Sequence, residues 1–358
     1  MIDYNIKIYK TLHLLVIILL FLTDSIYSQM DWSLPLKPCW SINESATYIA
    51  SDNETKTTIL FSTSFIKSIN HKTGQTIWEN KKNSQIYSDI TILKKYVFFS
   101  EVNPTNEKKY IHLIDIYSGL SIWGKEIPKD SSVYLYSNEN KVLVKGKNKD
   151  KIFFNLQTGQ KIFIDNALST YFEIFSLDRG FFPNLYEQTE TFAFQGKIIR
   201  NFEFMKQKLQ ALIPYKSNSF FWTTDGNHLG FYNFTLEKII WKRKIGGRIS
   251  EIRISEEIIY VSSYDNFIYL FSVTEGKLLL KRRLDGRVTN STEIYDNRLA
   301  VSAYNSNSIA IINIKKTMVE NILTLSDANS FSVHQSFIED KLLVATPSKV
   351  IAFSPNCE

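Results

Sequence analysis

Cysteine is almost absent from this chain of 358 residues: it has Cys39 and Cys357, one near each end, and no others. They make no adjacent pair and no Cys-x-x-Cys. The histidines (His13, His71, His112, His228 and His334) show no His-x-x-x-His spacing, so no zinc site is legible. His112 and His228 sit at strand starts and read as turn or edge residues. Glycine (13) and proline (8) are sparse, which excludes collagen-like and low-complexity segments. There is no phosphate-cradling GxxxxGK loop and no GxSxG elbow. Asp225-Gly226 and Asp285-Gly286 are turn dipeptides, without the alternating acidic residues a calcium loop needs. Nothing has the form of an RNA-binding motif, and a net charge of +6 is modest.

Long apolar runs are missing too, with one exception. Leu12–Leu22 follows Lys7 and Lys10, falls short of the ~20 residues of a spanning helix, and is followed by a cleavage point at Ser28. Residues 1–28 therefore read as a cleaved signal peptide, with an uncleaved signal anchor as the alternative, and residues 29–358 as one domain. In an exported chain Cys39 and Cys357 either form one disulfide or stay unpaired. Four Asn-x-Ser/Thr sequons, at Asn43, Asn53, Asn233 and Asn290, permit N-glycosylation; a chain this rich in Asn, Ser and Thr yields about that many by chance.

What the sequence does have is aromatic and repetitive. With 25 Phe, 19 Tyr and 6 Trp, it favours strands over helices. A Thr/Ser-Gly-x-x-Ile-Trp pattern recurs as TGQTIW ending at Trp78, SGLSIW at Trp123 and TGQKIF at Phe163. Weaker copies are TLEKIIW at Trp241 and TEGKLLL at Leu280. Aligning the remaining copies by what precedes them adds Arg200 and Glu320 and gives spacings of 45, 40, 37, 41, 39 and 40 residues. Before each turn lies an apolar strand, from SFIKSIN at Ser64 to KVIAFSP at Lys349, with TFAF at Thr191 among them. A second strand precedes each of these. Four short strands per ~40-residue unit is the propeller period. Eight such units predict an all-β, eight-bladed β-propeller of four-stranded antiparallel blades. The last unit lacks an outermost strand, and the segment MDWSLPL around Trp32 is expected to supply it, leaving no free sheet edge. In that register Cys39 lies seven residues beyond Trp32, well away from Cys357 at ~3.3 Å per residue, so a bridge needs an irregular path.

One charged feature repeats in phase. Lys242-Arg243-Lys244 and Lys281-Arg282-Arg283 follow the same position of adjacent units, and Arg248 and Arg287 match just after, in GGR and DGR. On neighbouring blades these form a basic patch: a docking surface for an acidic partner or anionic headgroups, or solvated charge guarding the rim.

TGxxxW turns on this scaffold resemble the pyrroloquinoline-quinone-like propeller repeat superfamily. It includes quinoprotein dehydrogenases, the BamB lipoproteins of bacterial outer-membrane assembly, and the luminal part of the ER membrane protein complex subunit 1 family. The last is most similar over the N-terminal third: Asp31-Trp32, the FST strand ending at Thr63, and SINHKTGQTIW ending at Trp78. SDITILKKYVFFS with IDIYSGLSIW is similar to that family's second unit; beyond about residue 165 the likeness is to generic repeats. The resemblance implies a non-catalytic scaffold in the ER lumen. It would support membrane-protein insertion and assembly through contacts with protein subunits of a membrane complex, and with clients. Longer family members carry a membrane helix, so here attachment is expected through partners. A BamB-like periplasmic or secreted propeller is the alternative. Quinoprotein enzymes carry an adjacent-cysteine ring, a catalytic Asp and calcium-binding Glu and Asn residues; this sequence shows no matching set. No enzyme activity, cofactor, nucleic acid or small-molecule substrate is therefore expected.

Overall fold

The computed structural model describes residues 31–81, 86–136, 140–146, 151–162, 172–174, 191–194, 197–200, 207, 209–216, 218–255, 257–304, 306–326 and 333–357. Residues 1–28, Phe163 and the strand GFF lie outside them. Seven four-stranded antiparallel sheets follow one another round a ring. They are blade I (48–81), blade II (86–127), blade III (132–162), blade IV (209–244), blade V (249–283), blade VI (288–324) and blade VII. Blade VII takes three strands from 334–354 and its outermost from Lys37–Ile42.

Each blade runs from a central channel to the rim. Its second and third strands are covered on both faces by neighbouring blades, so Thr57–Phe61, Phe65–Ile69, Ser219–Thr224 and Arg298–Ala303 are buried along their whole length. That is why they read as short continuous apolar runs. The core consequently lies between blades. Phe61 and Phe99 meet edge to face, 5.6 Å apart, across the blade I–II seam, and both are fully buried. Burial of one such ring stabilises by roughly 1.5–3 kcal/mol.

The outer strand carries the device that joins blades. In six of the seven blades its register shifts by one residue immediately before the tryptophan position. The extra residues are Cys39, Ile77, Ile122, Ile240, Leu279 and Glu320. Such a bulge re-aims the next side chain, here onto the following blade. Trp40, Trp78, Trp123 and Trp241 each lie flat over the turn glycine of the next blade: Gly74, Gly119, Gly159 and Gly276. A Cβ on Gly276 would lie 2.4 Å from Trp241 Cδ2, and these glycines have φ between 60° and 74°, a conformation costly for other residues. The indole Nε1 then donates to a carbonyl of the same turn, His71, Ile116, Leu156 or Val273, at 2.8–3.0 Å.

The structure corrects the sequence reading at several points. The expected eight blades are seven. The sheet built from Phe172–Ile174, Thr191–Phe194 and Lys197–Arg200 has three strands, and its first two run parallel. A ~40-residue period does not dictate the direction of pairing: TFAF pairs parallel with Phe172–Ile174 on one side and antiparallel with Lys197–Arg200 on the other. An N-terminal strand does close the last blade, but it is Lys37–Ile42, paired with Val350–Ser354. Trp40, not Trp32, is therefore the in-phase tryptophan. Trp32 instead packs edge to face on Phe337 at 5.2 Å, buried among Leu323, Leu325 and Val333. On blade VI the in-phase residue is Asn321, one beyond Glu320. Its amide donates to the carbonyls of Trp32 and Leu34 at 3.0 and 2.8 Å, so the Trp32 segment plugs that seam in place of a dock.

Moving the register to Trp40 also settles the cysteines. Cys39 occupies the bulge, and a disulfide joins it to Cys357 with a Cα–Cα distance of 5.1 Å. Polar contacts across the VII–I seam supplement it. Asn53 Nδ2 donates to Phe337 O at 3.2 Å while its Oδ1 accepts from Glu339 N at 2.7 Å, and Glu339 pairs with His71 at 2.8 Å and Lys56 at 3.1 Å. Burial works to raise the Glu339 pKa, but the bonds from His71 and Lys56 win and hold it below the ordinary carboxylate value.

Candidate functional site

Arg248 and Arg287 lie in the links between the outer strand of one blade and the inner strand of the next. Gly247 and Gly286 precede them because the link passes beneath a loop of the next blade. A Cβ at Gly286 would meet Tyr304 O at 2.0 Å, and one at Gly247 would meet Asp265 N at 2.8 Å. The arginine carbonyls then accept from that loop, Tyr264 N to Arg248 O at 2.9 Å and Tyr304 N to Arg287 O at 2.7 Å. These constraints stand the side chains in a row. The Arg248 guanidinium lies 5.9 Å from the Tyr264 ring centroid, and Arg287 lies 4.5 Å from Tyr264 and 6.0 Å from Tyr304. Both arginines are exposed, as are Tyr264 (46%) and Tyr304 (38%), so the row presents alternating cation and ring to solvent. Asp265, the nearby acid, is tied up by Tyr269, whose hydroxyl donates to it at 2.5 Å. Burial, with Asp265, pushes the Tyr269 pKa up to about 12.

The other predicted cations take separate roles. Lys242, Lys244, Lys281 and Arg283 are exposed on the outer strands of blades IV and V. Lys281 rests over Phe267 at 4.4 Å and Tyr269 at 5.6 Å. The field of the strand is felt at His228, whose pKa is lowered by burial and then by Lys244 and Lys242. Arg243 is a clamp: it donates to Gly276 O at 2.7 Å and Glu275 O at 3.1 Å, reinforcing the Trp241 dock. Its counterpart Arg282 points into a groove between the rims of blades V and VI. Sequence reading found the arginines and missed Tyr264 and Tyr304. The signal was present, a tyrosine at the same place in SSYD and SAYN.

The remaining predicted positions separate clearly. Of the sequon asparagines Asn43 alone is exposed. Asn53 is held in the VII–I seam, Asn233 Oδ1 caps a turn through Leu236 N at 3.0 Å, and Asn290 Nδ2 contacts His334 Nδ1 at 3.1 Å. A chain passed through a eukaryotic secretory route is expected to carry its glycan at Asn43 and none at Asn53. Mass spectrometry of glycopeptides, with Asn43→Gln as control, checks this; a folded, fully occupied Asn53 would contradict it. Of the histidines, His71 bonds Glu339 and His112 contacts Glu101 Oε1 at 3.1 Å while stacking on Phe99. Among the described residues no cluster of three His, Cys, Asp or Glu side chains is placed to hold a metal ion, and no helix is long and apolar enough to cross a membrane.

The central channel has a volume of about 1650 Å³ and is lined by both polar and apolar side chains. Arg253, which lines it, is offset by Glu251 at 2.5 Å and Glu293 at 3.4 Å.

No family model and no curated protein matches the chain. Among solved structures, it is similar to the β-propeller domain of Cps50 (Swd1) from Myceliophteria thermophila. That match has 12% identity, 89% of this chain and 99% of that one covered, and a TM-score of 0.58. The computationally designed protein Ika8 matches at 11% identity, 88% and 98% coverage and a TM-score of 0.63. BamB from Moraxella catarrhalis aligns at 12% identity over 89% and 98%, with a TM-score of 0.44. At these identities the Cps50 and Ika8 likenesses show the fold alone: the chain is a β-propeller.

Proposed function

We propose that this propeller is a non-catalytic extracytoplasmic scaffold that docks an acidic segment of a partner protein across blades IV to VI. The observation that carries the reading is the Arg248–Tyr264–Arg287–Tyr304 row. Exposed guanidinium groups backed by aromatic rings are held in place at little entropic cost. They offer an acidic side chain both a charge-assisted hydrogen bond and an apolar wall. Lys242, Lys244, Lys281, Arg282 and Arg283 extend the positive field and speed encounter. The Cys39–Cys357 disulfide fits an oxidising compartment. Taken with the resemblance to ER membrane protein complex subunit 1, the partner is a subunit or client of a membrane-associated assembly in the secretory pathway.

The test uses Arg248→Glu/Arg287→Glu, two exposed substitutions, with a fluorescein-labelled Asp/Glu-rich peptide read by anisotropy. The parent protein is expected to bind it in a salt-dependent manner, and the double reversal to weaken binding at least tenfold without changing the melting temperature. Equal binding by the two proteins, or none by the parent, sinks the proposal.

A further inference from the structure

The seam between blades V and VI lacks the joint that four other seams share. By register Leu280 stands where Trp241 stands one blade earlier, since Leu270 pairs with Leu280 as Phe231 pairs with Trp241. Thr317, with φ of 52°, stands at the turn position of Gly276. The two replacements belong together. A Cβ at the glycine position would meet an indole at 2.4 Å, so a threonine there excludes the tryptophan. Leucine is the smaller residue, and the rims of the two blades do not close over it.

What remains is a groove of about 530 Å³, its floor and walls made by Leu280, Val319, Met318 and Ile322, with Arg282 at its upper end. Met318 is 46% exposed and Ile322 53%, so both present apolar surface to solvent. The one acid in the lining, Glu320, is neutralised by Arg298 at 2.6 Å and Lys316 at 3.1 Å and also accepts from Asn313 at 2.8 Å. The groove thus sets the apolar side chains of Leu280, Met318, Val319 and Ile322 beside Thr317 and Asn321, with a positive charge at its lip. Along the chain Arg282 is followed by Arg283 and, across a tight link, by Arg287 of the docking row.

We infer that this groove is the specificity pocket of the docking surface and takes one large aromatic side chain from an acidic segment of the partner protein. Charge complementarity selects the segment, since Arg282 borders the groove and the Arg–Tyr row begins five residues further along the chain. An aromatic anchor suits an apolar slot of this kind, where a single desolvated ring surrounded by polar contacts dominates affinity. The ring would enter from the rim and lie beside Thr317, rather than over it as the intramolecular indoles lie over glycine. This inference rests on the proposal that the neighbouring face binds acidic protein segments.

The experiment compares two fluorescein-labelled Asp/Glu-rich peptides that differ by one central residue, Trp or Ser. The parent is expected to bind the Trp peptide at least tenfold more tightly. Leu280→Trp/Thr317→Gly rebuilds the dock and fills the groove from within. It should abolish the Trp preference while leaving Ser-peptide affinity unchanged. Ile322→Ser, at an exposed position, should reduce the preference even if the double variant folds poorly. Equal affinity for the two peptides in the parent overturns the pocket and leaves the docking face standing. Preference retained in both the filled variant and Ile322→Ser also overturns it. Failure of both peptides to bind overturns pocket and docking face together.

Discussion

Replacing Cys39 and Cys357 by serine is expected to lower the unfolding free energy by about 4–5 kcal/mol, the upper end for a single bridge. The reason is the length of chain enclosed. The residues are 318 apart in sequence, so the bridge removes more freedom from the unfolded chain than a short-loop disulfide does. It also pins Lys37–Ile42, a six-residue strand paired on one side only, to the strand Val350–Ser354. Two readouts separate these effects. Urea unfolding of the double variant reports the total. Hydrogen exchange reports whether amides of Lys37–Ile42 become the fastest-exchanging among the paired strands, as expected when a closing strand frays. An unchanged urea midpoint would show that the unfolded chain already holds its ends together, and would refute the loop-closure account.

Trp241→Ala is the second large effect, expected to cost about 3–5 kcal/mol. The indole is 6% exposed, packs with Phe221 and Phe231, and donates to Val273 O at 2.8 Å, so truncation leaves both a cavity and an orphaned acceptor. Gly276→Ala should cost about 1–3 kcal/mol by the opposite route, a methyl forced into the indole at a positive φ. The two changes act on one contact. The double variant should therefore be less destabilised than the sum of the singles, because removing the ring relieves the clash. Strict additivity in a urea-denaturation cycle would mean that Trp241 and Gly276 do not share an interface.

Much of this was legible in the sequence, and the misreadings share one cause. The strands of blades I to VI follow from apolar runs at a steady period, because the middle strands are covered on both sides, and blades I, II and III add a Thr/Ser-Gly turn. The closing role of an N-terminal strand was legible too, since KVIAFSP lacks an outer partner. Which segment did the closing was not: Trp32 and Trp40 both lie about one period before Trp78, and only the bulge at Cys39, a feature of pairing rather than composition, identifies Trp40. The same blindness placed Glu320 one residue from the true in-phase position at Asn321. The blade count failed where the pattern was weakest, between Phe163 and Arg200, because periodicity carries no information on whether two strands run parallel. At the site, repeated arginines stood out by charge. Tyr264 and Tyr304 did not, since tyrosine is common throughout the chain and only the fold stacks these two beside the guanidinium groups.

The docks have a consequence for how such rings vary. In TGQTIW the glycine receives the tryptophan of the preceding blade, and the tryptophan is handed to the following one. Socket and plug of two different joints thus travel together in six residues. A duplicated or deleted unit brings or removes one of each, so every remaining joint still finds its mate and blade number is free to drift. Where two adjacent units each lose their half of the shared joint, as at Leu280 and Thr317, the ring stays closed through its neighbours, and the abandoned joint becomes surface on which a new partner can be selected.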